Sequence, residues 1–130
     1  MNVPNILIVD DEAETRSMIK GFLLSRIQCN VFEADNGETA LESLKSNPCD
    51  VLILDIRMPK KSGMVVLDEM KGIVKNVDTI VITAWDSELV AEECVKRNVE
   101  IIPKPISISE LFEKISKLLK KRKQFIPVEN

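Results

Sequence analysis

The sequence predicts a doubly wound α/β domain, a five-stranded parallel sheet in the order 2-1-3-4-5 with helices on both faces. Three observations lead there. The runs Ile6-Leu7-Ile8-Val9, Val51-Leu52-Ile53-Leu54 and Ile80-Val81-Ile82 are short, continuous and rich in β-branched residues. Parallel strands buried on both faces read this way. Longer stretches with apolar residues at helical spacing separate the runs, and strict strand–helix alternation implies a parallel sheet covered on both sides. Five such strands wound both ways suggest one of the two common doubly wound orders.

Each element has its own signal. The first strand is residues 6–9. The first helix, 12–26, carries Met18, Ile19, Phe22 and Leu23 at helical spacing. A weaker strand follows at Cys29–Ala34, then a helix over 36–46 with Ala40, Leu41 and Leu44 on one face. The third strand leads to a helix over 63–75 carrying Leu67, Met70 and Ile73 or Val74. The fourth strand leads to a helix over 86–97 with Leu89, Val90, Cys94 and Val95, which Asn98 can end in the left-handed conformation. The fifth strand is Val99–Ile102. The last helix, 107–121, has the clearest stripe: Ile108, Leu111, Phe112, Ile115 and Leu119. Ser107 and Glu110 stand at capping-box spacing at its start. No repeat or low-complexity segment interrupts the pattern. Residues 1–121 are expected to form the domain. Residues 122–130 read as a frayed, solvated basic tail or the start of a linker.

Composition narrows the functions. The chain has 130 residues, 45% hydrophobic and 30% charged, with a net charge of −3. That is the mix of one soluble globular domain. A mildly acidic chain is a poor nucleic-acid binder, because phosphate binding needs a basic face. The sequence contains no His, which excludes His-based triads, His-ligated zinc and a phosphohistidine within the chain. Cys29, Cys49 and Cys94 form no close pair and read as reduced core thiols. No apolar run has the length of a membrane helix and no signal peptide is evident, so the expected location is the cytoplasm.

In open α/β sheets ligands bind beyond the carboxyl ends of the strands, near the switch point. Asp10, Asp11 and Glu12 follow strand 1, and Asp55 ends strand 3. Thr83 and Ala84 follow strand 4, and Lys104 and Pro105 follow strand 5. In the expected order strands 1 and 3 are neighbours, so the carboxylates share one cleft. Thr83 sits beside Asp55 on the next strand, and Lys104 needs its long side chain to reach. Clustered carboxylates repel unless compensated, and a hard divalent cation compensates them while leaving room for a phosphoryl oxygen. Carboxylates, a divalent cation, an ammonium and a hydroxyl make a site for phosphoryl transfer. Asp55 is the candidate nucleophile.

From residue 5 to about 121 the sequence resembles the receiver domain of bacterial two-component response regulators. The resemblance rests on Ile6 to Glu12, Asp35-Asn36-Gly37, Asp50 through Pro59, Gly63, Thr83-Ala84 and Lys104-Pro105. It implies a flavodoxin-like fold and a signalling switch that catalyses only its own phosphorylation and dephosphorylation. Asp55 would be the phosphoacceptor. Mg²⁺, with Mn²⁺ as a substitute, would be held by Asp10, Asp11, Asp55 and the backbone carbonyl of Arg57. Lys104, the Thr83 hydroxyl and the backbone N–H groups of Arg57 and Ala84 would contact the phosphoryl group. The donor would be a phosphohistidine on a sensor histidine kinase or phosphotransfer protein. The face of the fourth helix, fifth strand and fifth helix would signal to an output partner or domain, or form a phosphorylation-dependent homodimer. The Lys104–Pro105 bond would be cis.

Several positions depart from that family. The usual aromatic switch residue is Ile101, and Pro103 directly precedes Lys104. Pro103 removes one backbone donor, which suits an edge strand. Arg97-Asn98 replaces the usual small pair before strand 5. Trp85 and Arg57 occupy the two positions that tune water access, and a large ring with a long cation suggests slow self-dephosphorylation. A competing reading is a receiver-fold interaction module that never takes phosphate. Other doubly wound classes lack support: there is no hydroxyl-rich loop after strand 1, no P-loop motif and no Asp-x-Asp nucleophile motif.

Overall fold

A computed structural model describes residues 2–58, 60–84 and 88–129. The elements alternate as expected: β1 (Asn5–Val9), α1 (Ala13–Arg26), β2 (Asn30–Ala34), α2 (Gly37–Ser46), β3 (Val51–Asp55), α3 (Gly63–Met70), β4 (Asp78–Thr83), α4 (Glu88–Lys96), β5 (Glu100–Pro103) and α5 (Ile108–Lys121). All four strand pairings are parallel and the order is β2-β1-β3-β4-β5.

The central strands are apolar throughout because both their faces are covered. Ile6, Ile8, Ile53, Ile80, Ile82 and Ile102 pack under α1 and α5, against Ile19, Leu23, Leu111, Ile115 and Leu119. The alternate residues Leu7, Val9, Leu52, Leu54 and Val81 pack against α2, α3 and α4 through Ala40, Leu41, Leu44, Val66, Leu67, Val90 and Cys94. Each fully buried aliphatic contributes about 1.5–3 kcal/mol by leaving water. β5 is an edge strand, and Pro103 pairs with Thr83 there. Its missing N–H therefore costs no central ladder bond. Asn98 adopts a φ of 57° after α4, as its side chain permits. Ser107 caps α5, its Oγ accepting from the Glu110 N–H. Among the described residues no helix is long and apolar enough to cross a membrane.

The structure corrects several expectations. α3 ends at Met70 rather than 75, and a turn with the poor helix former Gly72 follows. Ile73 and Val74 still pack on the core, but from outside the helix. Met18 is exposed, and Leu89 and Val95 are 71% and 76% exposed, so α4 buries a narrower stripe than its composition suggested. Cys94 alone among the cysteines is buried. Cys29 and Cys49 are half-buried, and desolvation pushes their thiols up to about 11 and 12.

Residues 122–128 are not frayed but held against the domain. Gln28 N–H donates to the Ile126 carbonyl at 2.8 Å, and Val128 N–H donates to the Arg26 carbonyl at 2.9 Å. Ile27 and Pro127 thereby form an antiparallel bridge. Phe125 packs against Phe112, which meets Phe22 edge-on. Arg122 reaches Asp78 and Asp50.

Candidate functional site

Strand parity assembles the carboxyl-edge site. Side chains alternate across a sheet. Asp10, Asp55 and Lys104 follow two residues after Ile8, Ile53 and Ile102, the apolar residues that face α1 and α5. The three polar side chains thus extend the same layer past the end of the core. Register aligns them, since Val9 pairs with Leu54 and Asp55 pairs with Ile82, which in turn pairs with Ile102.

The result is an acidic cluster with one ammonium inside it. One carboxylate oxygen from each of Asp10, Asp11 and Asp55 lies within 4.8 Å of the others. Asp10 and Asp55 are buried, whereas Asp11 is exposed. Lys104 Nζ stands 3.1 Å from Asp55 Oδ2, 3.2 Å from Asp10 Oδ2 and 3.3 Å from Glu12 Oε1. It donates hydrogen bonds to Asp55 and Glu12. Asp55 Oδ1 accepts the Arg57 N–H at 3.1 Å, and Asp10 Oδ1 accepts the Glu12 N–H at 2.9 Å. Asp10 Oδ2 is buried and lies beside Lys104 without receiving a hydrogen bond.

These contacts set the electrostatics. Burial raises the Asp55 carboxyl above its ordinary value, and the charge of Asp10 adds to that. The Arg57 N–H and Lys104 act in the opposite sense. Burial alone would lower the Lys104 ammonium, but its hydrogen bond to Asp55 and the charges of Asp55 and Asp10 win. Lys104 is held above its usual range and stays charged.

The site fits a hard divalent cation. It offers carboxylate oxygens at one spot, and Asp10 Oδ2 is a buried acceptor that meets the Lys104 charge but receives no hydrogen bond. Glycine at 63 supports the geometry. A Cβ there would lie 2.7 Å from the Asp55 carbonyl and 2.8 Å from Ile56 Cα, so a larger residue would displace the backbone that carries Asp55.

The remaining sequence candidates fall around this centre. Thr83 is the buried last residue of β4, and its carbonyl accepts the Lys104 N–H at 2.8 Å. Its parity is that of Val81, so it belongs to the opposite layer from Asp55. Ala84 follows on the exposed rim, where Arg57 also lies. Ile101 is half-buried against the α2–α4 core. The Lys104–Pro105 bond is cis, as expected. Trp85 lies outside the described residues.

Two contacts were not foreseen. Glu12 joins Lys104; its place in the acidic run Asp10-Asp11-Glu12 was the available signal. A groove of about 620 Å³, lined by Ile56, Met58, Met64, Leu89 and Val90, opens beside the loop after Asp55. The exposed Leu89 belongs to it.

The family comparisons agree with this geometry. Residues 6–116 match the response regulator receiver domain model. Chemotaxis protein CheY of Bacillus subtilis is 34% identical over 115 residues, covering 88% of this chain and 96% of that protein. A cyclic di-GMP phosphodiesterase of Thermotoga maritima is 34% identical over 118 residues, covering 90% of this chain. The chain spans 31% of that longer relative's length. The solved receiver domain of a Francisella response regulator superposes with a TM-score of 0.83 at 28% identity, covering 92% of this chain and 98% of that one. With five parallel strands in the order 2-1-3-4-5 and an acidic cleft facing a lysine at their carboxyl ends, this chain belongs to the response regulator receiver domain family, the signalling switches of two-component systems.

Proposed function

We propose that this receiver accepts a phosphoryl group on Asp55 in a Mg²⁺-dependent reaction, from a phosphohistidine of a sensor histidine kinase or phosphotransfer protein. The observation that carries this is Lys104 Nζ, 3.1 Å from Asp55 Oδ2 and 3.2 Å from Asp10 Oδ2 within one acidic cleft. An isolated structural aspartate needs no such company.

An Asp55 carboxylate oxygen attacks phosphorus, the phosphorus–nitrogen bond of the donor breaks, and its electron pair returns to the imidazole nitrogen. Mg²⁺, held by Asp10, Asp11, Asp55 and the Arg57 carbonyl, would supply charge neutralisation for the phosphoryl oxygens; Mn²⁺ would substitute. Lys104 stays charged and follows the growing negative charge from Asp55 to the phosphoryl group. The Thr83 hydroxyl and the N–H groups of Arg57 and Ala84 would take the other oxygens. The Arg57 N–H already donates to Asp55 Oδ1, so it would transfer with little movement.

The product adds about −1.5 to −2 charges beside Thr83. Drawing Thr83 in would shift the packing of α4, β5 and α5 and change the surface read by a partner or output domain, or by a second copy of the chain. Ile101 replaces an aromatic switch, so the shift would run through the β4–α4 loop and α4. Arg57, with Trp85, would shield the acyl phosphate and slow its hydrolysis. The reaction would run in the cytoplasm, without direct nucleic-acid or membrane binding by this domain.

The test is intact mass after incubation with Mg²⁺ and a small acyl phosphate, beside Asp55→Ala and a metal-free control. One phosphoryl adduct that requires both Mg²⁺ and Asp55 is expected. No adduct on a folded chain would favour a phosphorylation-independent interaction module.

A further inference from the structure

The main chain of Asp10 is gripped from two sides. Its N–H donates to the Ala34 carbonyl of β2 at 3.1 Å. Its carbonyl accepts from Arg16 Nη1 at 2.6 Å. Arg16 sits on the first turns of α1, and its side chain is 17% exposed. Its Nε donates to Glu33 Oε1 at 3.1 Å, and Lys20 Nζ lies 3.5 Å from the other oxygen of Glu33. One guanidinium therefore ties the β1–α1 junction to the end of β2.

The consequence lies in the next residue. A peptide unit is planar, so the direction of the Asp10 carbonyl fixes the direction of the Asp11 N–H and Cα. Asp11 is exposed, yet its carboxylate joins those of Asp10 and Asp55 within 4.8 Å. Arg16 is the side chain that bonds this peptide from the α1 side. Glu33 takes up the guanidinium charge, which would otherwise oppose a cation nearby.

We propose that Arg16 is a positioning residue for the divalent-cation site: it holds the Asp10–Asp11 peptide so that the Asp11 carboxylate points into the cleft. This rests on the Mg²⁺ reading above. Arg16 would act through the Asp10–Asp11 peptide rather than as a ligand. Partners that orient metal ligands typically contribute ten- to a hundredfold in affinity, and an exposed ligand on a short tether belongs near the lower figure.

The test is calorimetric titration of the full chain with Mg²⁺ alone, beside Arg16→Ala and Arg16→Lys, with thermal midpoints measured in EDTA. Arg16→Ala is expected to weaken Mg²⁺ about tenfold. Arg16→Lys should recover part of the loss, because an ammonium can still donate to the Asp10 carbonyl. Should Arg16→Ala not fold, Arg16→Met keeps the aliphatic stem and is expected to show the same loss. A lower midpoint with unchanged Mg²⁺ affinity in the folded variant would make Arg16 a purely structural tie and overturn the proposal. A wild-type chain that binds no Mg²⁺ would instead overturn the metal reading on which it rests.

Discussion

The two ends of the sheet solve the same electrostatic problem in opposite ways. At the amino edge, Asp50 and Asp78 flank the starts of β3 and β4. Arg122 donates to Asp78 Oδ2 at 2.8 Å, to Asp50 Oδ1 at 3.4 Å and to the Asn76 carbonyl. The other oxygen of Asp50 accepts the Asn5 N–H at 2.8 Å. The acidic groups there are answered by a forked cation, and residues 122–128 lock it by bridging to α1. At the carboxyl edge, one Lys104 ammonium faces Asp10, Glu12 and Asp55, with Asp11 alongside. Asp10 Oδ2 is buried there without a hydrogen bond. The first edge is satisfied internally and acts as a clamp. The second keeps unspent acceptor capacity for something that arrives from solution. Charge balance, more than acidity, distinguishes the two sets of carboxylates.

The largest expected effect breaks the functional edge. Lys104→Met removes the ammonium bonded to Asp55 and should slow phosphoryl-adduct formation on the order of a hundredfold, with the fold intact. Adduct mass followed over time, beside circular dichroism, checks this. A rate within a factor of about three would show that Lys104 only balances resting charge.

The next effect breaks the clamp. Arg122→Ala strands two partly buried carboxylates and should cost about 2 kcal/mol in urea unfolding, while leaving adduct formation unchanged. Equal loss of stability and phosphorylation would mean that the two edges are coupled rather than distinct.

The smallest effect sharpens the comparison by pH. The Asp55 carboxyl is raised in the folded state, first by burial and then by Asp10. A raised group favours folding while protonated, below its unfolded value, and that contribution is lost as pH rises through the folded value. Metal-free wild type should therefore lose stability relative to Asp55→Asn as pH rises from about 4 towards neutrality. Urea midpoints across that range give the sign, and a gain relative to Asp55→Asn would contradict it.

The carboxyl edge was legible in the sequence because each residue sits directly after a strand that announces itself. Ile8, Ile53 and Ile102 mark the parity, and Asp10, Asp55 and Lys104 follow in step. The amino edge was not legible. Arg122 lies in the run Lys120-Lys121-Arg122-Lys123, which reads as solvated charge. Its partners lie 44 and 72 residues away, and no local pattern links them. The end of α3 was hidden because Ile73 and Val74 keep helical spacing after the helix has stopped. Leu89 was misplaced because apolar character does not separate a core residue from one lining an open groove. Arg16 escaped notice because its main partner is a carbonyl, which every residue carries.

The unequal charge balance of the two edges is tested most directly by urea unfolding of wild type and Asp10→Asn, each in EDTA and in excess Mg²⁺. In EDTA, Asp10→Asn should be more stable than wild type by about 1 kcal/mol, because removing one of three clustered carboxylate charges relieves Asp55 by more than the lost ion pair with Lys104 costs. Mg²⁺ at about ten times its dissociation constant should stabilise wild type by about 1.4 kcal/mol and the variant by much less. A variant less stable than wild type in EDTA, with no stabilisation of wild type by Mg²⁺, would show that the carboxyl edge is as internally satisfied as the amino edge.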